Sequence, residues 1–185
     1  SDYPFIYVHG MCGWGDGAPQ EENRPYWGTQ PENNVMTYLR AQGYTVYNPT
    51  VGGYSSAWDR ACELYAQLTG TVVDYGAAHS KECGHDRFGR DYTGRATMGK
   101  AWDLESPLNF VGHSFGGETI RLLASLLAYG DETEMKAATE NCSELFKGGH
   151  EKGIRSITAI SSPHNGSTAS NYVADTYLPA FLMIF

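Results

Sequence analysis

Apolar residues along this chain gather into short runs separated by long polar connections rich in glycine. Phe5-Ile6-Tyr7-Val8 is a β-rich run that ends at His9-Gly10, and a loop rich in Gly, Pro and Asn follows. From about Asn33 to Ala41, Val35, Met36 and Leu39 fall on one helical face, and Gly43 supplies the stop. Tyr44-Thr45-Val46-Tyr47 reads as a second strand, and Ser55 or Ser56 is placed to cap a helix from Ala57 to about Leu68. The stretch from Gly70 to Met98 has no clear period. A connection that long is usually functional or carries its own substructure. Leu108 to Gly112 is strand-like and runs straight into a helix from about Gly116 to Tyr129, closed by Gly130. A further helix over Glu132 to Ala138 and a strand over Ile154 to Ile160 complete the pattern. Strands alternating with helices predict an α/β fold with a mainly parallel sheet flanked by helices. The apolar tail Leu178 to Phe185 has no capping signal and reads as an interruption within a fold.

Composition narrows the picture only a little. The 185 residues suffice for one domain with a sizeable core, and the hydrophobic fraction of 41% is ordinary. With 13 Lys and Arg against 21 Asp and Glu, the net charge is −8. That balance argues against nucleic acid as a partner, because phosphate binding needs a basic face. Cys12, Cys62, Cys83 and Cys142 form neither a metal motif nor a dense disulfide framework, so free thiols, one bridge or two all remain open. No run is long enough to span a membrane; the chain shows no signal peptide and opens directly into a strand-like segment, as it would after removal of an export signal.

The chemistry concentrates at Gly112-His113-Ser114-Phe115-Gly116. The pattern G-x-S-x-G is common, but here a β-rich run ends at Gly112 and a helix begins just past Ser114. That strand–turn–helix context is the nucleophile elbow of the α/β-hydrolases, with Ser114 as nucleophile. The helix N-terminus offers unpaired N–H groups and a positive dipole end to a developing oxyanion. An H-G pair after an early strand positions the second oxyanion donor in such enzymes, so the backbone N–H groups of Met11 and Phe115 are the expected hole. His9 is expected to hold the loop. His113 is adjacent to the nucleophile in the elbow and points away from it, so it is not the base. The order Ser, acid, His leaves only His150 and His164, and neither follows an acid at a predicted strand end. The acid and base are therefore not identified in these residues.

Further motifs carry a family resemblance. They are His9-Gly10-Met11-Cys12-Gly13-Trp14-Gly15, Trp58-Asp59-Arg60-Ala61-Cys62-Glu63 with Tyr65-Ala66-Gln67-Leu68, Val73 to His79, Gly84 to Arg90, the elbow itself, and Ser162-Pro163-His164-Asn165-Gly166. In this order they resemble the thermoalkalophilic lipases of the Bacillus and Geobacillus type, which are secreted α/β-hydrolases carrying zinc and calcium. The resemblance implies a triacylglycerol lipase working on acylglycerols or other esters at a lipid interface. It also implies a structural zinc on Asp59, His79 and His85, with a fourth ligand, an Asp, beyond Phe185. The triad acid, the base and the calcium ligands are likewise implied to lie beyond Phe185. Cys83 stands where relatives can carry a histidine.

On this reading, residues 1–185 are the N-terminal portion of an α/β-hydrolase domain, with a zinc-binding insertion at about 57–98. Taken alone they should self-associate and not turn over. The rival readings are a short-chain esterase or acyltransferase and a non-catalytic, zinc-stabilised hydrolase-like module.

Overall fold

A computed structural model describes residues 3–138 and 141–168; the apolar tail Leu178 to Phe185 lies outside them. Among the described residues, six strands and six α-helices follow one another. They are β1 (Phe5–Val8), α1 (Pro19–Asn23), α2 (Val35–Ala41), β2 (Val46–Tyr47), α3 (Ala57–Thr69), β3 (Val72–Asp74), α4 (Ala77–Cys83), β4 (Phe88–Asp91), β5 (Leu108–His113), α5 (Phe115–Tyr129), α6 (Glu132–Ala137) and β6 (Ile154–Ile160). The order β2-β1-β5-β6 makes a four-stranded sheet whose pairings are all parallel.

The alternation within β1 explains why both faces of the sheet are covered. Ile6 and Val8 are fully buried in the main core with Leu64 and Leu68 of α3, Phe110 of β5, and Ile120 and Leu123 of α5. Phe5 and Tyr7 face the other way, onto a smaller cluster of Trp27, Met36 and Val46. Successive side chains of a strand point to opposite faces, so a sheet between two layers needs apolar residues at both parities. β6 is the outer strand of this sheet and leaves Ile157 and Ile160 exposed. No helix among the described residues is long and apolar enough to cross a membrane.

Two expected boundaries shift and one open choice of cap is decided, each for a local reason. α2 starts at Val35 because the Asn34 side chain caps it, accepting from the Thr37 N–H at 2.9 Å. β2 shrinks to two residues because the Tyr44 N–H closes the end of α2 on the Leu39 carbonyl, 3.0 Å away. Of the two candidate caps for α3, Ser56 is the one that accepts, from the Asp59 N–H.

The stretch without a period has its own small architecture. β3 and β4 pair antiparallel and flank α4. Arg87 grips Asp74 with two hydrogen bonds of 2.8 and 2.7 Å across this unit. α4 owes its start to a distant residue. Glu134 of α6 accepts from the N–H groups of Ala78 and His79 at 2.9 and 2.7 Å.

Candidate active site

Register brings the first strand's loop to the elbow. Val8 pairs with Gly112, so His9-Gly10 leaves the sheet beside His113-Ser114. A Cβ on Gly10 would sit 2.8 Å from the Cβ of Ser114, which shows how closely the two turns approach. Ser114 has φ 52° and ψ −127°, a conformation that non-glycine residues rarely adopt. Its N–H donates to the Ile160 carbonyl at 2.9 Å, and its own carbonyl accepts from Gly117 at 3.0 Å. The flanking glycines are sterically required. A Cβ on Gly112 would meet the Gly116 backbone at 2.6 Å, and one on Gly116 would meet the Val8 carbonyl oxygen at 2.1 Å.

The oxyanion-loop N–H groups are mostly engaged. Gly10 donates to the Tyr26 hydroxyl at 2.9 Å, Cys12 to the Gly53 carbonyl at 2.8 Å, and Gly13 to the Gly10 carbonyl at 3.2 Å. Among the described residues the N–H of Met11 finds no acceptor, and neither does that of Phe115 at the first position of α5. These are the two groups expected to face an oxyanion. His9 is 1% exposed and is part of the scaffold. Its Nδ1–H donates to the Gly10 carbonyl at 2.8 Å, and its Nε2 accepts from Val51 at 3.1 Å. Accepting the Val51 N–H at Nε2 needs a neutral ring, and burial, with the Arg60 cation adding to it, lowers its pKa to about 4.

The other histidines fall into place by their partners. The Tyr26 hydroxyl, which accepts from the Gly10 N–H, is also hydrogen-bonded to Nδ1 of His113 at 2.6 Å. His164, in the loop after β6, pairs through Nδ1 with Glu118 of α5 at 3.1 Å. His150 faces Glu144 at 3.9 Å.

A second group of donors sits at the first turn of α3. Asp59 Oδ1 lies 3.0 Å from Nε2 of His79 and 3.8 Å from Nε2 of His85. His79 is on α4, and Gly84 in the left-handed region (φ 75°) turns the chain so that His85 comes back beside it. Trp58 stacks on the His79 ring at 5.1 Å, and Tyr75 packs edge-on to His85 at 5.3 Å. Cys83 Sγ stands 3.8 Å from Nδ1 of His79, and potential ligand atoms of His79, Cys83 and His85 lie within 4.8 Å of one another. One carboxylate oxygen and two imidazole nitrogens converging in this way suit a zinc-sized ion, so the residues fit the group.

Sequence reasoning gave no role to Arg60, Tyr26 or Glu134. Arg60 is fully buried and hydrogen-bonds around the oxyanion loop. A charged residue inside a helix normally reads as surface. The available signal was its place in the run Arg60-Ala61-Cys62, followed one turn later by Leu64, which puts it on the buried face.

Known proteins resemble this chain over most of its length. The family model for the C-terminal domain of lipase-like proteins matches residues 1–183. A lipase of Staphylococcus hyicus is 44% identical over 177 residues, covering 94% of this chain and 27% of the relative. Lipase 2 of Staphylococcus aureus is 42% identical over 178 residues, covering 94% of this chain and 25% of the relative. The crystal structure of the Staphylococcus hyicus lipase superposes with a TM-score of 0.86 at 40% identity, covering all of this chain and 47% of that one. The structure of EstA from Clostridium botulinum gives 0.81 at 42% identity, covering 93% of this chain and 38% of that one. The chain thus spans about a quarter of the length of these curated relatives.

Proposed function

The chain belongs to the lipase-like C-terminal domain family, and from that premise we propose that it is part of an α/β-hydrolase that cleaves carboxylic esters through Ser114. The observation that carries the reading is Ser114 itself. It is held at φ 52° between glycines that cannot bear a side chain, at the N-terminus of α5, next to a loop with one unengaged N–H. Ser114 Oγ attacks the ester carbonyl and the C–O π electrons move onto oxygen. The N–H groups of Met11 and Phe115 stabilise that oxyanion, and the ester C–O bond breaks to give an acyl-serine that water hydrolyses. A histidine outside the residues assigned above takes the Ser114 proton and passes it to the leaving alcohol.

Acylglycerols at a lipid interface are the favoured substrates, because curated relatives of this chain are lipases. A secreted location goes with the same proposal. The narrower kinship with the thermoalkalophilic Bacillus and Geobacillus enzymes rests on the Trp58–Glu63 and Gly84–Arg90 motifs. A zinc ion would be held by Asp59, His79 and His85, and would supply a cross-link between α3 and the β3–β4 unit rather than activate water.

The test is covalent. A serine-directed phosphonate is added to the complete natural polypeptide and the modified peptide is mapped by mass spectrometry. The label is expected on Ser114. Its appearance on another serine, or its absence from an ester-hydrolysing preparation, overturns the assignment.

A further inference from the structure

Beneath the elbow lies a buried cation that the proposed chemistry has not used. Arg60 of α3 is 0% exposed. Its Nη2 donates to the His9 carbonyl, its Nη1 to the carbonyls of Gly52 at 2.8 Å and Gly10 at 3.4 Å, and its Nε to the Thr119 hydroxyl at 2.9 Å. The guanidinium carbon also lies 5.2 Å from the centre of the Phe115 ring. No carboxylate hydrogen-bonds to it among the described residues. Glu63, one turn further along α3, directs its oxygens to the Gly52 N–H at 2.6 Å and the Tyr75 hydroxyl at 3.1 Å. Burial lowers the Arg60 pKa to about 10, so the group is still a cation at neutral pH.

We propose that Arg60 is a positioning residue that sets the geometry of the oxyanion hole by tying the loop at His9-Gly10 to the N-terminal turns of α5. The inference rests on the hydrolase reading above. The physical reason lies in the peptide unit. The Gly10 carbonyl and the Met11 N–H belong to one planar trans peptide, so they point in opposite directions. Three donors, Arg60 Nη1, His9 Nδ1 and the Gly13 N–H, converge on that carbonyl. Holding the oxygen inward turns the Met11 N–H outward. On the other side the same guanidinium bonds to Thr119 and packs on Phe115, whose N–H is the second donor. One rigid planar group therefore fixes the spacing between the two donors. It also places a desolvated positive charge behind them, which Glu63 offsets only through space, without a hydrogen bond to it. Lysine could not replace it, because a single ammonium cannot reach three carbonyls and a hydroxyl spread around a plane.

The test separates positioning from mere support of the fold. Arg60→Lys, Arg60→Met and Thr119→Val are made in the complete natural polypeptide. For each, kcat and KM for tributyrin are measured per Ser114 titrated with phosphonate, together with the rate of phosphonate labelling. Titration removes unfolded molecules from the count. Both Arg60 variants are expected to lose about 10- to 100-fold in kcat per titrated site, with KM within about twofold and labelling slowed in parallel. Thr119→Val retains the cation but loosens its anchor, and should lose a smaller factor of the same kind. If neither Arg60 variant folds, Thr119→Val carries the test. Unchanged kcat and labelling rate per titrated site in the variants that fold would overturn the proposal, leaving Arg60 as scaffold. Failure of the parent protein to label at Ser114 would instead strike the hydrolase reading on which the proposal stands.

Discussion

The elbow and the β3–β4 insertion are built on opposite principles. At the elbow the proposed working groups are one hydroxyl, that of Ser114 on a left-handed turn, and two backbone N–H groups, those of Met11 and Phe115. Their positions follow from strand register, from glycines that admit no Cβ, and from one buried guanidinium. In the insertion the candidate working groups are side chains brought from three places: Asp59 on α3, His79 on α4 and His85 beyond Gly84. They are partly exposed, and Gly84 has open space around it. Preorganisation in the first region comes from packing. In the second it would come largely from a bound ion, because convergent carboxylate and imidazole groups gain more from a metal than from one another.

Experiments can break this contrast, and the largest effect should come from the nucleophile. Ser114→Ala is expected to reduce kcat on the order of 10⁶-fold while leaving thermal unfolding unchanged, since the side chain contributes little packing. Residual hydrolysis near the parental rate would remove Ser114 from the site.

A pair of glycine substitutions sharpens the same contrast through stability. Gly116→Ala drives a Cβ to 2.1 Å from the Val8 carbonyl oxygen and 2.8 Å from that of His9, and neither is the end of a flexible side chain. It should cost about 4 kcal/mol or more, or prevent folding. Gly84→Ala meets nothing within 4 Å and bears only the left-handed strain of φ 75°, about 1–2 kcal/mol. Urea unfolding of both variants measures the difference, and equal costs would contradict it.

Acid should weaken the elbow side through His9. Its pKa is lowered from the ordinary 6.5 to about 4 in the fold, so the unfolded chain binds the proton more tightly. The contribution is fully present above about pH 6.5 and is lost as pH falls from there toward 4. It amounts to about 3 kcal/mol at 1.36 kcal/mol per pKa unit. Urea midpoints between pH 7 and 4 should fall accordingly, and His9→Asn should flatten that slope. An unchanged slope in the variant would mean that other groups carry the acid sensitivity.

The smallest expected effect concerns the ion. Asp59→Ala and His79→Ala should lower bound zinc and the melting temperature more than they lower ester hydrolysis. An ion present at a hundred times its Kd stabilises by about 2.7 kcal/mol, roughly 5–10 °C for a domain of this size. Chelation of the parent protein should have the same effect. Metal analysis that finds no zinc in the purified parent would end the metal proposal and leave the insertion an ordinary loop.

Much of the scaffold was legible because it depends on local pattern. The strands Phe5–Val8 and Ile154–Ile160 lie where the apolar runs place them, and α5 follows β5 through Ser114 as the glycine spacing requires. The stretch from Gly70 to Met98 was opaque for a physical reason. α4 is only seven residues long, and its first turn is capped by Glu134, a residue more than fifty positions away. No local period can announce a helix stabilised from that distance.

The sequence by itself determined which groups could do chemistry: a serine in a turn of small residues, a loop opening on His9-Gly10, and an aspartate with two histidines. Those follow from covalent identity and short-range sterics, which adjacent residues carry. Only the tertiary structure decided how the groups stand to one another. Parallel pairing of β1 with β5 sets the His9-Gly10 loop against the elbow, and the Tyr26 hydroxyl bridges the Gly10 N–H and the His113 ring. Burial turns Arg60 from an apparent surface charge into the tie between them. Each of these depends on contacts between residues far apart in the chain, and on the dielectric of a core that exists only once the chain has folded.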